Sequence, residues 1–414
     1  MLQQASILEH SLCCEYLYAA FTLKTGGESG VTPTQAELSE QWSQQITKIA
    51  IQEMYHLMLA SNLLTAIGET PYFDRPNFPM AATRFSDVDL PSLLTHFDFE
   101  TAKRFMCWEK PEIDGWWIED CAKCAEAARA DHGLVAGDQA PAYSSIGELY
   151  GIIDATLAAH PEWIDPLTAP RQVTSDVIPF SPRVTPITTY EDASRYIHII
   201  VTEGEGGPDW ESQSHFAYFH QIVVQLLEIR GDGTKGDVSK DMAWPTVANP
   251  VYDPANVVPG AHLIEDPGAA PVGLAFNRLY LVFMRVLARL FIPDESESAA
   301  ERQALANAAT AMMPLVIKPL AVLLTRLPAG TAYPELFAGP SFELPTNIAL
   351  PTGPRTEAIA ALKQDLGDVK VLLQTLSFKL TTLPAPALVE LATIAARLET
   401  LLGMMEPAPA PVAS

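Results

Sequence analysis

Apolar residues recur at intervals of three and four along most of the chain, and strict alternation is scarce, so the pattern predicts an all-α protein. Residues 3–24 read as a first helix, with Ile7, Leu8, Leu12, Tyr16 and Ala19 or Ala20 at helical spacing, ending at the flexible KTGGESG. A second helix runs from about Thr34 to Ile67 and stops at Gly68, with Pro71 beyond. One or two short helices are expected over 90–108, ending near Pro111. Further helices fall over 145–159, where Ser144 or Ser145 offers an N-cap, over 190–203 and over 211–229. Proline density then forbids long helices over 240–272, and helical periodicity returns near 273–292, 297–327, 355–378 and 386–404. The expected division is a helical bundle over 1–235, a Pro-rich connector over 236–272, a second helical region over 273–405 and a disordered tail over 406–414.

Composition narrows this picture. Hydrophobic residues make up 48% of 414, enough for a sizeable core. A formal charge of −24 argues against nucleic acid and anionic membrane surfaces as partners. No basic segment followed by an apolar one opens the chain. The most apolar stretch, AMMPLVIKPLAVLLTRL, is interrupted by Pro314, Lys318 and Pro319, so a soluble cytoplasmic protein is expected. The five cysteines, Cys13, Cys14, Cys107, Cys121 and Cys124, are odd in number and irregularly spaced, which does not read as a disulfide framework. Cys121-x-x-Cys124 has no second pair to complete a zinc site and reads as two small thiols on a helix.

Chemistry enters where charge interrupts apolar helices. Glu53 and His56 sit three apart inside IAIQEMYHLMLASNLL, and a buried carboxylate is costly unless something pairs with it. That spacing puts both side chains on one helix face. Other apolar helices carry Glu9, Glu148 in SSIGELYGII, Glu203 and Glu205 in IIVTEGEGG, and His215 in SQSHFAYFHQIV. A dinuclear carboxylate bundle needs this supply of Glu and His, and such donors suit iron or manganese. The last set lacks Glu-x-x-His: Glu205 and His215 are separated by Gly206-Gly207-Pro208, and Glu211 is the replacement if Glu205 fails to approach His215. Glu15 lies about 240° round the helix from Glu9 and is assigned to the surface or to a place behind the ligands. His10 is expected to be exposed. Glu109, two residues before Pro111, reads as a helix-end acid or a supporting partner. Tyr16, Tyr18, Tyr55 and Tyr150 read as core tyrosines with a bonded hydroxyl.

At LEHSLCCEYLYAAF, IAIQEMYHLMLASNLLTAIGETP, FMCWEKPE, SSIGELYGII, VTEGEGG with SHFAYFHQI, FNRLYLVFMRVL and AGPSFE, the chain resembles the iminophenyl-pyruvate dimer synthase family of bisindole pathways. The pieces span residues 8–343. The resemblance implies a ferritin-like four-helix bundle with long crossovers plus the additional C-terminal helical region. It implies two metal ions, iron or alternatively manganese, on Glu9, Glu53, His56, Glu148, Glu205 and His215, supported by Glu109, Glu203, Glu211 and Tyr16. The expected activity is oxidation of a small organic substrate, such as an amino-acid-derived imine, with oxygen or peroxide. A homo-oligomer and a partner amino-acid oxidase are further expectations. The alternatives are a metal-handling or ferroxidase protein and a non-catalytic ferritin-like binding protein. Two departures bear on the pocket: Thr202-Glu203 stands where the family has Glu-Gln, and Trp108-Glu109-Lys110-Pro111 where it has aliphatic-Glu-x-Pro.

Overall fold

Helix α1 (Leu2–Thr22) has no polar side: every residue from Leu8 to Thr22 is buried. A helix apolar all round belongs in the middle of a fold, and α1 lies there. It runs along α2 (Pro33–Ala66), which opens on a capping box. Thr32 Oγ1 accepts from the Gln35 N–H while the Gln35 carbonyl accepts from the Thr32 N–H, with Pro33 at the first helical position. The computed structural model describes residues 1–26, 30–80, 89–111, 115, 117–135, 143–205, 213–230 and 241–407.

The other walls are shorter. Helix α3 (Phe99–Trp108) is capped by Asp98 and followed by α4 (Trp117–Asp131). Helices α5 (Ile146–Ala159) and α6 (Tyr190–Gly204) pack on each other and start at Ser145 and Thr189, whose hydroxyls accept from the backbone N–H three residues on. Helix α7 (His215–Arg230) packs on α3. Phe105 of α3 and Phe219 of α7 lie 5.4 Å apart, and both touch Tyr16 of α1. The helices meeting at the centre are therefore α1, α2, α3 and α7, with α5 and α6 flanking them.

The Pro-rich connector holds a two-residue parallel pair, β1 (Pro250–Val251) with β2 (His262–Leu263), and a 3-10 turn over Pro254–Asn256. Glu343 ties this arm down. Its carboxylate accepts from the Tyr252 N–H, Asn256 Nδ2, Asn277 Nδ2 and Ser341 Oγ at 2.7–2.8 Å. Then come α8 (Ala269–Arg289), α9 (Ala299–Met312), α10 (Lys318–Leu324), α11 (Arg355–Lys379) and α12 (Ala385–Met404). Pro314 does not end its helix. A π turn over Met313–Ile317 absorbs it and joins α9 to α10. Helices α8 and α9–α10 are long and apolar enough to cross a membrane, and here 61% and 50% of those windows are buried, against α1, α11 and α12. One contiguous apolar core runs from Leu2 to Met405.

The cysteine expectation is corrected. Cys107 of α3 and Cys121 of α4 form a disulfide with Cα atoms 5.4 Å apart, while Cys13, Cys14 and Cys124 are free and buried. The partners lie fourteen residues apart on two helices, so only tertiary packing brings them together.

Candidate metal centre

Four helices deliver side chains to one buried point. Glu9 comes from α1, Glu53 and His56 from one face of α2, Glu109 from the C-cap of α3, and His215 from the first residue of α7. Their ligand atoms form two groups, Glu9–Glu53–His56 and Glu53–Glu109–His215, each within 4.8 Å. Glu53 belongs to both. Its Oε2 lies 3.3 Å from His56 Nδ1 and its Oε1 lies 2.8 Å from His215 Nδ1. Glu9 Oε2 is 3.7 Å from His56 Nδ1, and Glu109 Oε1 is 3.6 Å from His215 Nδ1. The two imidazoles stack with centroids 5.6 Å apart.

Hydroxyls and one further carboxylate stand behind these groups. Tyr150 of α5 donates to Glu9 Oε1 at 2.6 Å, and Tyr16 of α1 donates to Glu109 Oε1. Glu203 of α6 bonds His56 Nε2 at 3.1 Å. Among the described residues no Lys or Arg pairs with Glu9, Glu53 or Glu109. Burial pushes the Glu9 carboxyl up to about 7, against the pull of His56. Burial lowers both imidazoles, but the carboxylates outweigh it, holding His56 well above its usual range and His215 at about 9. Burial and Glu109 push Glu53 up, yet His215 and His56 bring it below the ordinary value.

The donors fit metal ions. Glu53 Oε1 and His215 Nδ1 are buried and 2.8 Å apart but not aligned for a hydrogen bond, and among the described residues His215 Nε2 has no hydrogen-bond partner. A buried acceptor and ring nitrogen left this way carry a desolvation cost that a shared cation would remove. Bonds of about 2 Å place two ligands of one ion roughly 3–4 Å apart, the spacing seen in both groups. The raised imidazoles agree with this, since the surrounding carboxylates favour positive charge at both positions.

Two of the expected ligands are not brought together with the others. Glu148 is half-buried at the start of α5, where its Oε2 accepts from the Ser144 hydroxyl and N–H. It belongs to a helix start, and neither ligand group includes it. Glu205 is buried, but its Oε1 accepts from the Gly147 N–H at 2.6 Å, on the positive end of α5. A Cβ on Gly147 would come within 2.5 Å of that carboxylate, so the glycine makes room for it. Glu205 is likewise outside both groups, and Glu109 stands in the second one with His215. Glu211 lies outside the described residues. Glu203 contacts His56, and Tyr16 contacts Glu109. Glu15 and His10 are buried, not exposed. Glu15 pairs with Arg104 and Ser92, and His10 bonds the Tyr280 hydroxyl at 2.7 Å.

The Ferritin-like family profile matches residues 2–224, from α1 into α7. The chain is 25% identical over 354 residues to the 2-imino-3-(indol-3-yl)propanoate dimerase of Chromobacterium violaceum, covering 80% of this chain and 32% of that protein. It is 25% identical over 379 residues to the dichlorochromopyrrolate synthase of Lentzea aerocolonigenes, covering 83% of this chain and 35% of that one. Both relatives are named for biosynthetic reactions, and the chain spans about a third of their length. A solved ferritin-like protein from Caulobacter vibrioides gives a TM-score of 0.49 at 20% identity, over 83% of this chain and 96% of that one. The profile covers more than half of the 414 residues, and the chain belongs to the ferritin-like family.

Proposed function

We propose that this chain is a metal-dependent oxidoreductase with a dinuclear centre, iron favoured and manganese the alternative, acting on a small organic molecule in biosynthesis. The observation that carries the reading is Glu53, which turns one oxygen toward each of two histidines, each flanked by a further carboxylate. That is the arrangement of a bridging ligand in a carboxylate bundle. The bound ions would supply redox equivalents and open positions for oxygen or peroxide. Glu9, Glu53, His56, Glu109 and His215 would hold them. Tyr150 fixes Glu9 Oε1 and leaves Oε2 facing His56, whereas Tyr16 holds Glu109 by Oε1, the oxygen that also faces His215. The apolar packing around α1 excludes bulk water.

A cavity of about 520 Å³ supports the small-molecule substrate. It lies between the α1–α2 pair and α8–α10, with Cys13, Met54, Tyr55, Phe180, Phe283 and Met313 in its walls. Cys13 is one turn beyond Glu9. Burial raises its thiol well above the usual range, with the charges of Cys14, Glu53 and Glu9 adding to the effect. Cys13 is the wall residue that stands one turn from a ligand on the same helix, and none of the five ligand residues lines the cavity itself. The name of the Chromobacterium violaceum relative suggests an amino-acid-derived imine as substrate, which a partner amino-acid oxidase would supply.

The test loads chelator-stripped protein with Fe(II) or Mn(II) and gives it imines made in situ from tryptophan or phenylalanine by a separate amino-acid oxidase. Oxygen use and products by mass spectrometry are followed. Conversion is expected with loaded protein and background with Glu53→Ala. Equal conversion by stripped protein would overturn the reading.

A further inference from the structure

We infer that the two metal positions are unequal: the one framed by Glu9, Glu53 and His56 holds its ion tightly, the one framed by Glu53, Glu109 and His215 holds an exchangeable ion, and Glu203 sets the difference. This rests on the dinuclear reading above.

The positions share their first features. Each has an imidazole presenting Nδ1, a terminal glutamate pinned by a tyrosine hydroxyl, and one oxygen of Glu53. They differ behind the imidazole. His56 Nε2 bonds the Glu203 carboxylate at 3.1 Å, which keeps a proton on Nε2, so that Nδ1, which faces Glu9 and Glu53, is the nitrogen that would bind an ion. The anion also makes the ring a stronger donor. His215 Nδ1 faces Glu53 and Glu109, but among the described residues Nε2, on the far side of the ring, has no hydrogen-bond partner, so no carboxylate there fixes its tautomer.

A second difference is independent of the first. Glu9 and the Glu53–His56 pair sit in the interiors of α1 and α2, where both flanking turns hold the backbone. Glu109 is the C-cap of α3 and His215 is the first residue of α7. Ligands on helix interiors are more firmly placed than ligands at helix ends, which fray. Both differences favour the His56 position, and both place the adaptable position where α3 ends and α7 begins.

The experiment is an anaerobic titration of chelator-stripped full-length protein with Mn(II), read by calorimetry and by competition with a chromogenic chelator. Wild type is expected to bind in two steps at least about tenfold apart in affinity, given the usual weight of such a supporting carboxylate. Glu203→Ala should weaken the tight step about 10–100-fold and leave the weak step in place. Glu203→Gln keeps the acceptor oxygen without the charge and should recover part of the loss, which a merely structural role would not show. His215→Ala should keep the tight step and lose the weak one. Circular dichroism checks that each variant retains its helices. Two equal steps in wild type, or equal weakening of both steps in Glu203→Ala, would overturn the inference while leaving the dinuclear centre standing. A wild-type protein that binds no ion would remove the centre and the inference together.

Discussion

Replacing Glu9 by glutamine is expected to stabilise the metal-free protein at alkaline pH while weakening metal binding. Glu9 is 1% exposed, its nearest basic atom is His56 Nδ1 at 3.7 Å, and its carboxyl is raised from 4.5 to about 7. The folded chain keeps a proton that the unfolded chain has lost. A group raised in this way contributes its full stability below pH 4.5 and loses it as pH climbs through about 7. At about 1.4 kcal/mol per pH unit the loss totals about 3 kcal/mol, of which about 2 kcal/mol falls between pH 5.5 and 7. Glutamine matches the shape, never ionises, and still offers a carbonyl to the Tyr150 hydroxyl. His56 and His215 also lose stability as pH rises, His215 through about 9; the part of the His56 decline that comes from Glu9 goes with the substitution, and the rest is common to both proteins. Urea unfolding with chelator present at pH 5.5, 7.0 and 8.5 measures the effect. The difference should move by about 2 kcal/mol in favour of Glu9→Gln across that range. A difference that is the same at every pH would refute the reasoning, because the cost would then not be that of burying a charge.

Three further outcomes follow from the same geometry. Glu53→Ala and His56→Ala should each remove most bound metal with helicity unchanged, and wild-type metal content in both would contradict the site. Purified protein given excess ferrous iron in air should stop near the roughly two ions of a dinuclear centre, whereas tens of ions per chain would indicate storage. Cys107→Ser opens a link across fourteen residues and should cost about 3 kcal/mol in unfolding under non-reducing conditions; an unshifted midpoint would show the link contributes nothing.

The all-α class was legible because helical periodicity runs through nearly every segment. Glu53 and His56 were legible because two polar groups at one-face spacing interrupt a long apolar run. Glu9 and His215 stood out for the same reason. Glu148 misled because Ser145 and Glu148 are also the first-turn signature of a helix, and that local signal is what the structure uses. Glu109 reads in the sequence as a helix-end acid or a supporting partner and not as a ligand, because it stands two residues before Pro111. It does end its helix, and that end happens to abut α7. Only the tertiary packing of α3 on α7 separates the two cases. The one clue in the sequence was the apolar FMCW before Glu109, which left the acid no polar face to join. The Cys107–Cys121 pairing was illegible for the same cause, since it depends on how α4 folds back onto α3.

The absence of an outer face on α1 changes what the C-terminal helices are for. The side of α1 turned away from α2 is met by α8, where the Tyr280 hydroxyl bonds His10 at 2.7 Å and lies 3.2 Å from the Cys14 sulfur. His10 is the neighbour of Glu9. Farther along, the Thr325 hydroxyl just past α10 donates to the Phe21 carbonyl. The C-terminal layer is thus the back plate of a ligand-bearing helix, not an appendage to a self-sufficient bundle. Trimming the chain to its first 235 residues would strip that plate and leave an apolar helix facing water, with His10 and Cys14 deprived of the Tyr280 hydroxyl. A smaller working version would have to be sought elsewhere in the chain, by shortening loops that touch neither α1 nor α8.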